Sequence, residues 1–406
     1  MSLNSIISAL DTFKFTIIFY SLVILIVYLN RKKFDVHGKL IYLYRTQIGV
    51  KLMNSIAKKS RKLVKVLGYI GIVIGFIGMV LISIMILFLT YKLLLNEPGS
   101  GGASPVIPGL PIVGTGLVFP LITGWIVLFI IIVVHEFSHG VVASAYKIKI
   151  KNSGMAFFGP ILGAFVEPDE KSLVKQGDMV QHSVFAAGPL ANFLTVIVVL
   201  FLTFLIVNPI ANSLSISTGA IIYSQPGLPA EKAGIGNNTI ITKINDIDIS
   251  TSEEFQEVME GIGPNEKITL SSKNRTFALT TIENPDEPSQ GYLGVWLLGD
   301  NNELRNENVF TIVSFKVIRW ISQLLGWLAF LSLNIGLINL LPIFITDGAR
   351  MLKVAVERIV KNKKRSLSIW MGINWIAAFS LIILVFLPFF RWLSEKLSII
   401  LLSLFV

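Results

Sequence analysis

Residues 66–91 run without a single charged side chain. At about 1.5 Å per helical residue this stretch is about 39 Å long, more than the roughly 30 Å of hydrocarbon in a bilayer. In lipid a run like this must satisfy its own backbone polar groups, which a helix does. Comparable runs recur at 15–30, 118–146, 184–207, 320–341 and 369–390. The sequence therefore predicts a polytopic α-helical membrane protein with about six transmembrane helices. An apolar tail, 397–406, is too short to cross alone and is expected to re-enter or to pack along the sixth span. With 53% hydrophobic and only 15% charged residues, a water-exposed globule and a disordered chain are both excluded. Cysteine is absent, which removes disulfides, thiol nucleophiles and Cys-ligated metals, so any metal must rest on His, Asp or Glu.

The net charge of +10 does not indicate nucleic acid, because the basic residues cluster beside the spans. Residues 31–65 hold eleven Lys or Arg against one acid, Asp35, which marks a cytoplasmic loop by the positive-inside rule. Residues 97–120 contain no Lys or Arg and are rich in Gly and Pro, as an outside loop would be. Lys147, Lys149 and Lys151, and later 350–365, return the chain to the cytoplasm; Lys316 and Arg319 depart from this pattern. No small-residue cleavage site follows the first apolar run, so it is expected to be a retained helix with its N-terminus outside.

Between the fourth and fifth spans, 209–308 carries fourteen acids and six bases. It reads as a small α+β insert, extracytoplasmic by its position. A strand is expected around 219–223, a turn at 225–229 and a strand at 239–244. A second turn at 245–248 and a helix from Ser252 to Gly261 follow, with Ser252 and Glu253 at its start. This gives five segments: an N-terminal membrane region at 1–117, a first core membrane part at 118–208, and the insert at 209–308. A second core membrane part at 309–350 and a C-terminal region at 351–406 complete the chain.

The third span contains His135-Glu136-Phe137-Ser138-His139, and its two histidines are half of the four in the chain. Residues four apart share one helical face, so both imidazoles can reach one metal ion, with Glu136 beside them to take a proton from the attacking water. No other charged residue occurs between 98 and 135, and an ionisable side chain at hydrocarbon depth marks a functional site. The plainer reading is polar glue between helices. A third ligand is needed, and Asp347 is the only acid between Glu307 and Glu357. Its plainer reading is a helix cap or a partner for Arg350. His37 and His182 fall in predicted loops and are expected at the surface.

These motifs, with Gly188-Pro189-Leu190-Ala191-Asn192 opening the next span and Asn339-Leu340-Leu341-Pro342 followed by Asp347-Gly348, resemble the site-2 protease family of intramembrane zinc metalloproteases. The insert is similar to a PDZ domain through Pro229-Ala230-Glu231-Lys232-Ala233-Gly234, residues 240–245 and Tyr292-Leu293-Gly294-Val295. The resemblance implies one Zn2+ held by His135, His139 and Asp347, Glu136 as the catalytic base, and Asn192 as a second catalytic residue touching the substrate backbone or the oxyanion. Phe344, Thr346 and Ala349 stand where family members usually carry Pro, Leu and Gly.

The expected activity is zinc-dependent endopeptidase cleavage of peptide bonds in or near the transmembrane helices of membrane-protein substrates, within the cell membrane and toward its cytoplasmic side. The apolar segment 154–168 is read either as a re-entrant hairpin turning at Gly159-Pro160, whose strand edge could pair with an unwound substrate, or as a loop on the membrane surface. The turn at Gly227-Leu228 offers backbone N–H groups to a peptide C-terminus; equally, the insert could serve only as a size filter. The alternative is a non-enzymatic membrane receptor or adaptor that binds peptides through its PDZ-like domain. A transporter is disfavoured by the lack of repeated halves.

Overall fold

The computed structural model describes residues 3–37, 41–96, 102–112, 118–159, 161–273 and 275–405. The chain divides into two compact units, Met1–Phe201 with Leu324–Val406, and Leu202–Gln323.

In the first unit the helices are α1 (Leu3–Leu29), α2 (Val50–Lys59), α3 (Arg61–Leu94), α4 (Leu121–Ala145), α5 (Glu170–Val174) and α6 (Asp178–Leu202). They continue with α7 (Val309–Leu340), which enters from the second unit, α8 (Asp347–Ile359) and α9 (Lys363–Phe405). Among the described residues, five helices are long and apolar enough to cross a membrane: α3, α4, Asp178–Leu214, α7 and Lys363–Arg391. The chain is thus a multi-pass membrane protein. The stretch expected as the first span lies in α1, whose apolar part Phe13–Leu29 is shorter than the others. The tail from 397 does not turn back along the preceding span, because the backbone of α9 continues as helix to Phe405. Residue 406 lies outside the described residues.

Helix α3 packs closely because glycines line one of its faces. A Cβ at Gly75 would lie 2.9 Å from Met351 Cε and one at Gly78 2.6 Å from Leu340 Cδ1. Small residues let membrane helices approach to backbone distance, where dispersion contacts accumulate. Pro388 lacks the N–H that would bond the Leu384 carbonyl, and the Ala103 N–H donates to that carbonyl instead at 2.9 Å. A backbone group freed at membrane depth is thereby satisfied by protein. On α1, the Tyr20 hydroxyl donates to the Pro108 carbonyl at 2.8 Å, tying that helix to the glycine-rich segment ahead of α4.

Segment 154–168 is a β-hairpin, β3 (Ile150–Phe158) and β4 (Ile161–Pro168), with Gly159 at φ +57° in its turn. Pro160, the other residue of the expected turn, lies outside the described residues. The hairpin is extended by β1 (Asp35–His37) and β2 (Ile41–Thr46) into an antiparallel sheet of order β1-β2-β3-β4. Half of the sheet therefore comes from the basic segment after α1, read from its charge only as a loop. The run Ile41-Tyr42-Leu43-Tyr44 is the strand signal there. Beside the sheet, α2 buries Val50, Met53 and Ala57 and turns Lys51, Lys58 and Lys59 outward. At the base of the hairpin, Lys151 Nζ lies 2.9 Å from Asp169 Oδ1. That ammonium, with the Ser172 hydroxyl, lowers the Asp169 carboxyl to about 2, so the pair is lost only as pH falls through about 2.

The second unit holds a three-stranded sheet of Val295–Leu304, Ser215–Ser224 and Thr239–Ile241. A four-stranded sheet contains Arg275–Thr280, Lys267–Ser272, Lys243–Ile244 and Ile247–Asp248. Ile222, Ile241, Ile244, Leu270 and Leu293 form its fully buried centre. The helix Ser252–Glu260 is capped one residue earlier than its sequence suggests. The Thr251 hydroxyl accepts from the Glu254 N–H at 3.1 Å, and Glu254 reaches back to the Ser250 N–H at 2.6 Å, a variant of the capping box. Ser252 instead donates to Asp300.

Candidate active site

His135 and His139 project from one face of α4, four residues apart. Each ring is held by a neighbour that decides which nitrogen is free. The Val184 carbonyl on α6 lies 2.7 Å from His139 Nδ1. A carbonyl can only accept, so Nδ1 carries the proton and Nε2 keeps its lone pair. Behind His135, the Asn192 amide lies 3.2 Å from Nδ1, with its Oδ1 unpartnered among the described residues. Turning that amide by 180° gives Oδ1 the ring N–H as a donor and again leaves Nε2 free.

Both Nε2 atoms converge on Asp347. Its Oδ2 is 3.1 Å from His135 Nε2 and 3.2 Å from His139 Nε2, and the two nitrogens are 3.3 Å apart. Ligands about 2.0–2.1 Å from a tetrahedral zinc ion stand about 3.3 Å from one another. The three atoms therefore have the spacing of one face of such a tetrahedron, and the donor set of two imidazoles and one carboxylate leaves a fourth position free. The residues present fit zinc. Among the described residues this is the one group of three such side chains close enough to share an ion.

Asp347 is brought there by the joint between α7 and α8. The Thr346 side chain caps α8, accepting from the Ala349 N–H at 3.3 Å and donating to the Leu341 carbonyl at 2.6 Å. The following Gly348 lies against α7, where a Cβ would stand 2.0 Å from the Leu340 carbonyl oxygen. No side chain fits, which gives the Asp-Gly pair its reason. The three departures from the family pattern are absorbed locally. The Phe344 ring packs on Trp370 and Trp375 at 5.6 and 5.0 Å, Thr346 makes the cap, and the carbonyl of buried Ala349 accepts from the Trp370 indole N–H at 2.8 Å.

Gly188 plays the matching part on α6. A Cβ there would meet His135 Nε2 and His139 Nε2, each at 2.5 Å, so the space in front of the ligand atoms exists because the residue is glycine. In the sequence Gly188 stands out only as part of a motif; its role depends on α6 packing across the His135–His139 face.

Glu136 lies on the wall of a cavity of about 680 Å³ that also exposes His135, His139 and Asp347. Its Oε2 accepts the Val166 N–H of β4 at 3.1 Å. The outer walls carry Arg45, Glu167, Arg350 and Lys353. The Arg350 guanidinium lies 5.8 Å from the Phe185 ring centroid rather than pairing with Asp347.

Asn192 is completely buried, against the His135 ring. One sequence expectation changes here. His182 is not at the surface: α6 begins at Asp178, which puts His182 in the helix, 6% exposed, with its ring edge-on to Phe76 at 5.1 Å. The side chain of His37 lies outside the described residues.

A family model for peptidase family M50 matches residues 123–384. An uncharacterised protein of Methanocaldococcus jannaschii is 28% identical over 367 residues, covering 88% of this chain and 90% of its own length. Zinc metalloprotease RasP of Oceanobacillus iheyensis is 28% identical over 217 residues, 43% of this chain and 50% of that protein. RasP of Shouchella clausii is 25% identical over 219 residues, with the same shares. The chain thus spans about half the length of these RasP proteins. The family match runs over more than half of the chain and takes in His135, Glu136, His139, Asn192 and Asp347; the protein belongs to peptidase family M50, the site-2 protease family that its motifs resemble.

Proposed function

We propose that this protein is an intramembrane zinc endopeptidase that hydrolyses peptide bonds in or next to the transmembrane helices of other membrane proteins. The observation that carries this reading is the tetrahedral spacing of His135 Nε2, His139 Nε2 and Asp347 Oδ2, with Glu136 beside them on a cavity wall. Zinc metalloprotease relatives support both the metal and the peptide bond as target.

Zinc, when bound, supplies a Lewis acid and a water acidified toward a pKa of about 7. The chain's own residues do the rest. His135, His139 and Asp347 hold the ion, and the Val184 carbonyl fixes the ring of His139. Glu136 takes a proton from the attacking water on its carboxylate and delivers it to the leaving amine. Asn192, in this reading, positions His135 rather than touching the substrate. Asn192→Ala is expected to weaken zinc binding about 10–100-fold, the usual loss when a ligand's supporting contact is removed, which a competitive chelator titration would measure.

A helical substrate hides its peptide bonds in i to i−4 hydrogen bonds and must unwind to be cut, so spans weakened by Gly, Pro, Asn or Ser are the expected substrates. The free edge of β4 is where an unwound segment would pair. In this topology α1 supplies the first of six crossings, the site lies toward the cytoplasmic side, and the PDZ-like insert is outside the cell membrane. Strands β1 and β2 share a sheet with β3 and β4, which agrees with assigning both segments to one side. Peptide capture at the Gly227-Leu228 turn is disfavoured, because the Gly227 N–H already donates to Glu231 Oε2 at 2.7 Å, and the Leu228 N–H to the Gln225 carbonyl at 3.4 Å.

The test is cleavage of a panel of single-span substrates by the purified protein in detergent, with zinc and with a chelator. Cutting within the span that stops under chelation supports the reading. If the zinc-loaded protein cuts none of them while the insert captures peptides, the adaptor takes its place.

A further inference from the structure

Strand β4 ends the sheet, and its backbone divides by parity. Val166 lies opposite Ser153 of β3, yet its N–H donates to Glu136 rather than into the ladder. In an antiparallel pair the residues whose N–H and C=O point away from the partner alternate with those that bond it. Ala164, two residues before, therefore turns its amide to the same outer side, whereas Pro168, two residues on, has no N–H. Phe165, Val166, Glu167 and Pro168 all line the cavity that holds Glu136. At the level of the base, the edge thus offers one outward amide, Val166, and Glu136 has it.

Strand addition to this edge, which belongs to the function proposed above and on which this inference rests, needs that amide for a substrate carbonyl. One donor then has two claimants. We propose that the Val166 amide is an interlock: it holds the Glu136 carboxylate against β4 while the cavity is empty, and a substrate strand that pairs with β4 takes the amide and releases the base. Docking and readiness for proton transfer become one event. A short peptide that cannot form the strand leaves the base tied and is cut slowly. Val166 acts here as a positioning residue, through its backbone.

The interlock can be read by binding alone, without turnover. A transmembrane substrate peptide in micelles is titrated against the chelated full-length protein carrying Glu136→Ala or Glu136→Gln. Both variants lose the charge, but Gln keeps a carbonyl that can accept the Val166 N–H and Ala does not. The interlock predicts that the Ala variant binds the substrate about tenfold more tightly than the Gln variant, in line with the worth of a hydrogen bond that must be given up. Equal affinities, or tighter binding by the Gln variant, would overturn it.

A second arm uses Val166→Pro, which removes the donor at an outward position where an edge strand tolerates proline. With zinc bound, this variant is expected to cut a short soluble peptide about tenfold faster than the unaltered protein while its KM for the transmembrane substrate rises. A merely structural defect would slow both substrates, and that result also overturns the proposal. Ala164→Pro removes an outward amide that Glu136 does not hold, so it should raise KM for the transmembrane substrate without speeding the short peptide. Cleavage of any panel substrate by the unaltered zinc-loaded protein tests the protease reading separately, so failure of one idea is not mistaken for failure of the other.

Discussion

Glu136→Gln is expected to lower the cleavage rate by about 10²–10⁴-fold while zinc remains bound in a one-to-one ratio. The size follows from the role proposed for the residue. Its carboxylate is the one acid on the cavity wall next to His135 in the chain, and the amide replacement keeps volume and hydrogen-bonding reach but cannot take a proton. His135, His139 and Asp347 are untouched, so metal content measured by elemental analysis should not change. Loss of zinc in this variant would show that Glu136 serves the metal rather than the proton, and the base would have to be sought elsewhere. Cleavage at the original rate would remove Glu136 from the chemistry.

Gly188→Ala is expected to be as damaging by a different route. The added methyl group would stand 2.5 Å from both imidazole Nε2 atoms, well inside van der Waals contact and in front of the lone pairs that would bind the ion. Neither ring can retreat freely, because His139 is tied to the Val184 carbonyl and His135 abuts Asn192. Zinc affinity should fall by at least the roughly 100-fold seen when supporting contacts are lost, and cleavage should fall with it. Alanine is a better helix former than glycine by about 1 kcal/mol, so α6 itself has no reason to unfold. A zinc titration that matches the unaltered protein, with cleavage intact, would show that the rings can move aside and that the cradle is not rigid.

Local features of the chain were legible without coordinates for a physical reason. Helical periodicity acts over four residues, so His135 and His139 are bound to share a face once 118–146 is helical, and the bilayer's thickness imposes the length of the apolar runs. The hairpin at 154–168 was one of two readings, because an apolar stretch with a Gly-Pro turn is also compatible with a surface loop. The strands of 35–46 were hidden behind the charges around them, and Asn192 showed only as a polar residue in a span.

What the sequence by itself determined is therefore the membrane class, the paired imidazoles with their neighbouring carboxylate, and the family resemblance. Tertiary structure alone decided the partners. Asp347 meets His135 across 212 positions of sequence through a joint that only Gly348 can pass. Gly188 is needed because α6 crosses the ligand face, Asn192 lies behind a ring, and His182 is buried because α6 starts earlier than its apolar run. Periodicity constrains which side chains share a face of one helix; which faces meet depends on close packing between distant segments, and no local pattern encodes that.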